Sequence, residues 1–320
     1  MAARNHHYIP QCYLKGFVKN RDKAQLYAID CENPEPFTPS TAGVGSRRDF
    51  HRIDIEGLAP DALENAFSGF EGELDQALRR INAARSLDDF NDKSFLLNLI
   101  GIIHVKNPQI RSVFHDFEEN IARRVMDLTT SSREIYESQV RQAKENGYIN
   151  PDADIDYETA KSFFEEKAFK IEVPTERHLQ REMDLLDTAL PCLFNRSWHL
   201  LKAPKEETGF VTSDHPVVLQ WQDPKLRSGP YPPGLGLKNT EVLFSVSNTL
   251  AVVGTFEEDE MEIDASSELI AKFNGAIISC SKRQVYARDD GFMYAFDDMV
   301  TPRKGDTLIE YVSSALEKAD

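Results

Sequence analysis

The stretch that most constrains this chain is FLLNLIGIIHV, Phe95 to Val105, which is apolar around nearly the whole circumference of a helix. It is too short to cross a bilayer and too apolar to lie on a surface, so it predicts a central helix walled in by protein. A chain of 320 residues, 41% of them hydrophobic, can build that wall. Upstream, Leu63, Phe67, Phe70, Leu74, Leu78 and Ile81 recur at spacings of three and four, the apolar stripe of an amphipathic helix. Downstream, NPQIRSVFHDFEENIARRVMDL restarts a helix, with Asn107 as cap and Pro108 in the first turn. A polar helix stopped by Gly147 follows. Two more come after it, DYETAKSFFEEKAFKI and TERHLQREMDLLDTAL, the second closed by Pro191.

On both sides of this helical block the pattern changes to strand-like alternation. AQLYAID reads as a strand and RRDFHRID as a short basic strand or strand end. RSWHLLKAP and TGFVTSDHPVVLQW read as strands of one hairpin, and EVLFSVSNTLAVVGTF as two strands around SNT. RQVYARD and GFMYAF are short strands. DASSELIAKFNGAIISC, capped by Asp264 or Ser266, and DTLIEYVSSALEKA are helices. The order is α+β: an antiparallel sheet built from N-terminal and C-terminal strands, with a helical block inserted. It predicts one composite unit over 1–320, with the N-terminal motif and strands at 1–55, the helical block at 56–194 and a sheet-rich part with a closing helix at 195–320. The N-terminal segment is expected to return to the C-terminal sheet, because an isolated strand at Tyr8 cannot bury itself.

Lys and Arg total 37 against 53 Asp and Glu, a net charge of -16. Such a surface repels polyanions, and duplex binding draws on basic contacts to phosphate, so non-specific duplex DNA binding is not expected. A small or single-stranded nucleic-acid substrate can still reach a locally basic or metal-filled cleft. Cys12, Cys31, Cys192 and Cys280 form no CxxC pair, which suits a reducing compartment. MAARNHHYIP lacks the apolar core of a signal peptide. The expectation is a cytoplasmic protein with no membrane segment.

Two polar clusters can carry chemistry. The first is NHHYIPQCYLKGF, Asn5 to Phe17. Ile9 precedes Pro10 and is pushed towards extended geometry, so His6 and His7 lie on an extended segment and point to opposite faces. Pro10 can start a helix carrying Leu14 and Phe17. Either histidine can hold a metal or move a proton; both can equally anchor the N-terminus with their nitrogens satisfied internally. The second cluster is FVTSDHP, which gathers Thr212, Ser213, Asp214 and His215 at a strand end. Asp214 can bind a cation or orient a histidine, and Ser213 can position a water or phosphate oxygen. The same residues also favour turns in which their side chains bond backbone groups. Weaker features have bland accounts beside the chemical ones: Glu64 and Glu71 on one helix face, His104 in the apolar helix, and the basic Arg47, Arg48 and Arg52. Trp198 and Trp221 default to core packing.

Together these two segments resemble the hallmarks of the bacterial domain-of-unknown-function (DUF) family 4238. HHYIPQCYLKGF is similar to its HHYVPQFYLRNF-like opening, and GFVTSDHPVV to its FITSDNPV-like segment. DFHRID, LENAFSGFEGELDQAL, IIHVKNPQIR, SWHLL and NGAIISCSKRQVYAR resemble further family segments, so the likeness runs from Asn5 to Arg288. Three departures matter: Cys12 replaces an aromatic, His215 an asparagine, and Lys106-Asn107 an arginine-threonine pair. The last leaves only Arg111 of the paired arginines in an R-T-P-x-x-R-like run. No activity comes with the resemblance. It implies that the His-His and Ser-Asp segments meet in space, with His6 or His7, Gln11, Asp214, Glu71, Arg111 and Asn274 lining one cleft.

Two functions fit these residues. One is a metal-assisted hydrolase, a phosphodiesterase or nuclease serving phage defence or acting as a toxin-like effector. Asp214, His6, His7 and Ser213 would be catalytic, and Gln11, Arg111, Asn274 and His215 would bind substrate. His6, His7 and Asp214 would hold a divalent metal that activates water and neutralises phosphate. The other is a non-catalytic ligand- or protein-binding module in which the two segments are structural clasps. Separation discriminates: catalytic groups converge within hydrogen-bond reach, directly or through one water.

Overall fold

The computed structural model describes residues 5–20, 22–52, 62–154, 156–166, 169–204, 209–296 and 301–316. In chain order come β1 (Asn5–His7), α1 (Gln11–Leu14), β2 (Tyr27–Asp30), β3 (Glu35–Phe37) and β4 (Ser46–Arg48). The helices α2 (Ala62–Ala84), α3 (Phe90–Val105), α4 (Pro108–Thr129), α5 (Arg133–Glu145), α6 (Tyr157–Glu166) and α7 (Thr175–Phe194) follow. Then come β5 (Ser197–Lys202), β6 (Thr212–Ser213), β7 (Val218–Trp221), α8 (Pro224–Arg227), β8 (Thr240–Ser247), β9 (Leu250–Thr255) and β10 (Glu262–Asp264). The chain closes with α9 (Ser267–Cys280), β11 (Gln284–Ala287), β12 (Met293–Tyr294), β13 (Arg303–Lys304) and α10 (Leu308–Leu316). This is an α+β protein. Among the described residues, no helix is long and apolar enough to cross a membrane.

The chain divides into two compact units, Met1–Asn107 with Leu179–Asp320, and Pro108–His178. The helical block is therefore shared: α2, α3 and most of α7 belong to the first unit, and α4, α5 and α6 to the second.

In the first unit, a five-stranded sheet has the order β10-β5-β9-β8-β7, antiparallel except for the β10–β5 edge. Alternate side chains of its inner strands enter two separate cores, as the period of two requires. Leu200, Val242, Phe244 and Val252 join the core that contains α1, α2 and α3. Leu201, Leu243 and Ala251 join the core built on α9. A four-stranded antiparallel sheet, β3-β2-β11-β6, combines N-terminal and C-terminal strands. The apolar run of α3 is as enclosed as its composition demands: Leu96, Leu97, Leu99, Ile100 and Ile103 are all buried.

Four local expectations change. β1 does not join the C-terminal sheet but pairs with β4, His6 opposite Arg47; the segment is docked by α1, whose Tyr13, Leu14 and the following Phe17 are fully buried. Pro10 lies just before α1 rather than within it, its extended ψ of 136° setting the chain's entry. Pro191 does not close α7, which runs on to Phe194. Leu193 is fully buried and its carbonyl accepts from the Trp198 indole N–H at 2.9 Å, contacts that offset the one backbone bond a proline forfeits. TGFVTSDHPVVLQW is not half of a hairpin: β6 pairs with β11 in one sheet and β7 with β8 in the other.

In the second unit, α4 starts at Pro108, as the Asn107-Pro108 pair predicts. Ser132 caps α5 by accepting from the Ile135 N–H, and Gly147, at φ +74°, ends it in a left-handed conformation that suits glycine. Tyr157 ties this unit together: its hydroxyl donates to the Thr130 carbonyl, its ring meets Tyr136, and the Arg133 guanidinium lies over it.

Candidate functional site

The opening segment is held from all sides within the first unit. The N–H groups of Tyr8 and Ile9 both donate to the Gly45 carbonyl, at 2.9 and 3.1 Å. His6 is buried; its Nδ1 accepts the His51 backbone N–H at 2.7 Å, and its ring lies parallel to the His51 ring, centroids 5.6 Å apart. His7 is half-buried, and its Nε2 accepts from the Gln11 amide at 3.1 Å. Gln11 and one nitrogen of each histidine are thus engaged within the N-terminal region itself. Burial, and then the Asp214 charge, push the Tyr8 hydroxyl up to about 12, with Arg47 opposing. Burial, followed by Glu71 and Asp75, pushes the Cys12 thiol up to about 12, so it is no thiolate at neutral pH. Glu64, on the same helix as Glu71, lies outside the described side chains.

The two hallmark segments meet. The buried Tyr13 hydroxyl shares a 2.7 Å hydrogen bond with the Thr212 Oγ1, and the Tyr13 ring stacks on Phe244 at 5.0 Å. Three residues on, the Gly16 carbonyl accepts from Asn248.

The Ser-Asp segment is the place where the chain leaves one sheet for the other. A backbone crossing between sheets has no ladder partners, yet its buried polar groups still need them. Side chains supply several. The Asn274 Oδ1 accepts from the Val211 N–H at 3.0 Å, and its Nδ2 donates to the carbonyls of Gly209 and Met293 at 3.0 and 2.8 Å. The Ser245 hydroxyl donates to the Val211 carbonyl at 2.6 Å. Phe210 donates to the Asn248 carbonyl, an approach so close that a Cβ on Gly209 would lie 1.9 Å from that oxygen. Ser213 is fully buried, and its Oγ accepts from the His215 N–H at 3.1 Å.

Asp214 faces the turn between α9 and β11. Its two carboxylate oxygens accept the Lys282 and Arg283 N–H groups, both at 2.9 Å, and its own N–H donates to the Gln284 carbonyl at 2.9 Å. Burial raises its pKa above the ordinary carboxylate value, while these N–H groups pull the other way. Asp30 grips the same turn from β2, accepting from the Arg283 guanidinium at 2.7 Å and from two N–H groups of its own loop.

Of the remaining candidates, Arg111 lies on α4, in the second unit. His215 lies close enough to His104 to bear on its charge. Burial first, then His215, hold His104 down to about 4, and burial also lowers His215. Both are neutral imidazoles at neutral pH, and the Nδ1 of each is buried with no hydrogen-bond partner among the described residues. His6, His7 and Asp214 do not bring ligand atoms to one point. Among the described residues, the only three His, Cys, Asp or Glu ligand atoms close enough to share an ion are those of His115, Asp116 and Glu119 on α4.

His51 and Asp30 are the participants that sequence reasoning passes over. RRDFHR attracts attention by its arginines, but its buried residues are Phe50 and His51. Asp30 ends a strand, and only the fold brings it to Arg283.

A family model described as "Protein of unknown function (DUF4238)" matches residues 5–291. No curated protein and no solved structure matches the chain.

Proposed function

Since the chain belongs to the DUF4238 family, which brings no activity with it, its function has to be argued from its own side chains, and we propose that it is a non-catalytic binding module. In this reading the His-His and Ser-Asp segments are clasps that hold the first unit in one conformation. The observation that carries it is the Asp214 carboxylate, whose oxygens are both committed to backbone N–H groups of the α9–β11 turn. Ser213, Thr212 and Asn274 are committed in the same way, each to a partner inside the fold.

The hydrolase alternative needs His6 or His7 and Asp214 to converge on one reacting centre or one ion. Their hydrogen-bond partners differ: the His51 backbone for His6, the Gln11 amide for His7 and the N–H groups of the 282–283 turn for Asp214. The deciding experiment sets wild type beside Asp214→Asn, with phosphodiester substrates and added Mg²⁺ or Mn²⁺. The proposal expects no turnover that depends on Asp214, and a lower melting temperature for the variant. Hydrolysis by wild type that vanishes in a variant of unchanged melting temperature would overturn it.

A further inference from the structure

Along α4, Val113, Phe117, Ile121, Val125 and Leu128 are 48–61% exposed. At 100° per residue they share one side of the helix, over about 22 Å of its length. Apolar runs of this extent on a water-exposed surface mark contact faces. The stripe also reads nearly alike in both directions. Turned end for end about Ile121, Val113 falls opposite Leu128, Phe117 opposite Val125, and Ile121 opposite its own copy.

The polar border has the same symmetry. Asp116 and Arg124 are both exposed and flank the stripe on one side, about two turns apart. End-for-end pairing sets the Asp116 of each copy beside the Arg124 of the other, whereas parallel pairing would bring like charges level. Arg124 has no ion pair or hydrogen bond among the described residues, while the adjacent Arg123 is taken by Glu119 at 2.6 Å. The face is therefore complementary to itself in apolar content and in charge. That is the requirement of an isologous two-fold contact.

We propose that α4 is a self-association face, through which two copies of this chain pair antiparallel, Asp116 of each against Arg124 of the other. This goes beyond the clasp reading and does not depend on it. The test is sedimentation velocity on the full chain, with wild type, Phe117→Asp, Asp116→Arg and Arg124→Asp run singly and the two charge variants mixed. Wild type is expected to be a dimer and Phe117→Asp a monomer. Each charge variant should weaken the dimer by at least about tenfold in Kd. Mixing the two should restore a dimer, because each then offers the charge the other lacks; that recovery also shows both variants to be folded. A monomeric wild type would overturn the proposal, the case in which the chain's own residues cover the stripe. So would a dimer that Phe117→Asp leaves intact, or a mixture of charge variants that stays monomeric. None of these results bears on the Asp214 clasp, which is read from melting and turnover.

Discussion

Between Gly209 and His215 no residue is fully exposed, and the polar side chains Thr212, Ser213 and Asp214 all turn to partners inside the fold. Along α4, five large apolar side chains stand in the open. Written as letters, the Ser-Asp segment has the character of a catalytic motif and α4 that of an ordinary amphipathic helix. Their physical situations are the reverse. The polar side chains of the Ser-Asp segment serve partners inside the fold: Thr212 the Tyr13 hydroxyl, Ser213 the His215 N–H and Asp214 the N–H groups of Lys282 and Arg283. The α4 stripe is apolar on a side that the described fold leaves uncovered. A polar signature can thus record a backbone need, and an unremarkable helix can carry the free surface.

This contrast can be broken or sharpened by substitution. The largest effect is expected for Asn274→Ala, which strips partners from the Val211 N–H and from the carbonyls of Gly209 and Met293. Buried groups left without partners cost about 1–3 kcal/mol each before relaxation, so urea unfolding should show a loss of about 3–5 kcal/mol. A loss below about 1 kcal/mol would mean the crossing does not need its side-chain partners.

Next comes pH. His104 titrates at about 4 in the fold against an ordinary 6.5, so the unfolded chain takes up the proton first. The stabilisation is fully present above 6.5 and is lost as pH falls towards 4, about 2–3 kcal/mol across that window. Replacing His104 with Leu should flatten the fall in melting temperature between pH 7 and 4.5 relative to wild type. Parallel curves for the two proteins would place the pH sensitivity elsewhere.

Asp214→Asn keeps the shape but turns one carboxylate oxygen into an amide that cannot accept a backbone N–H. The expected cost is about 1–2 kcal/mol in chemical denaturation, with the oligomeric state unchanged. The smallest effect on stability belongs to Phe117→Asp, at an exposed position. Monomer stability should move by no more than about 0.5 kcal/mol, while the sedimentation profile changes. A large destabilisation there would mean that the stripe is internal packing, and the contrast between the two regions would fail.

Much of the fold is legible because it rests on local periodicity. The enclosed α3, the Asn107-Pro108 start of α4, the Gly147 stop and the SNT hairpin all follow from neighbouring residues. What is not legible depends on partners distant in sequence. The split of TGFVTSDHPVVLQW between two sheets is decided by β8 and β11, and the continuation of α7 through Pro191 by the burial of Leu193. The site follows the same division. That the two hallmark segments meet was readable from their resemblance to one family, and Tyr13 with Thr212 is the contact. The destination of the Asp214 carboxylate was not readable, since Lys282 and Arg283 contribute only backbone N–H groups, which every sequence has.

Those two N–H groups offer the most direct test. Amide hydrogen exchange, followed residue by residue, should show Lys282 and Arg283 protected in wild type. In Asp214→Asn, the amide that faces the new NH₂ group should exchange at least about tenfold faster while the β8–β9 amides keep their protection. Unchanged exchange at both positions would mean that Asp214 does not hold this turn, and the clasp account would fall with it.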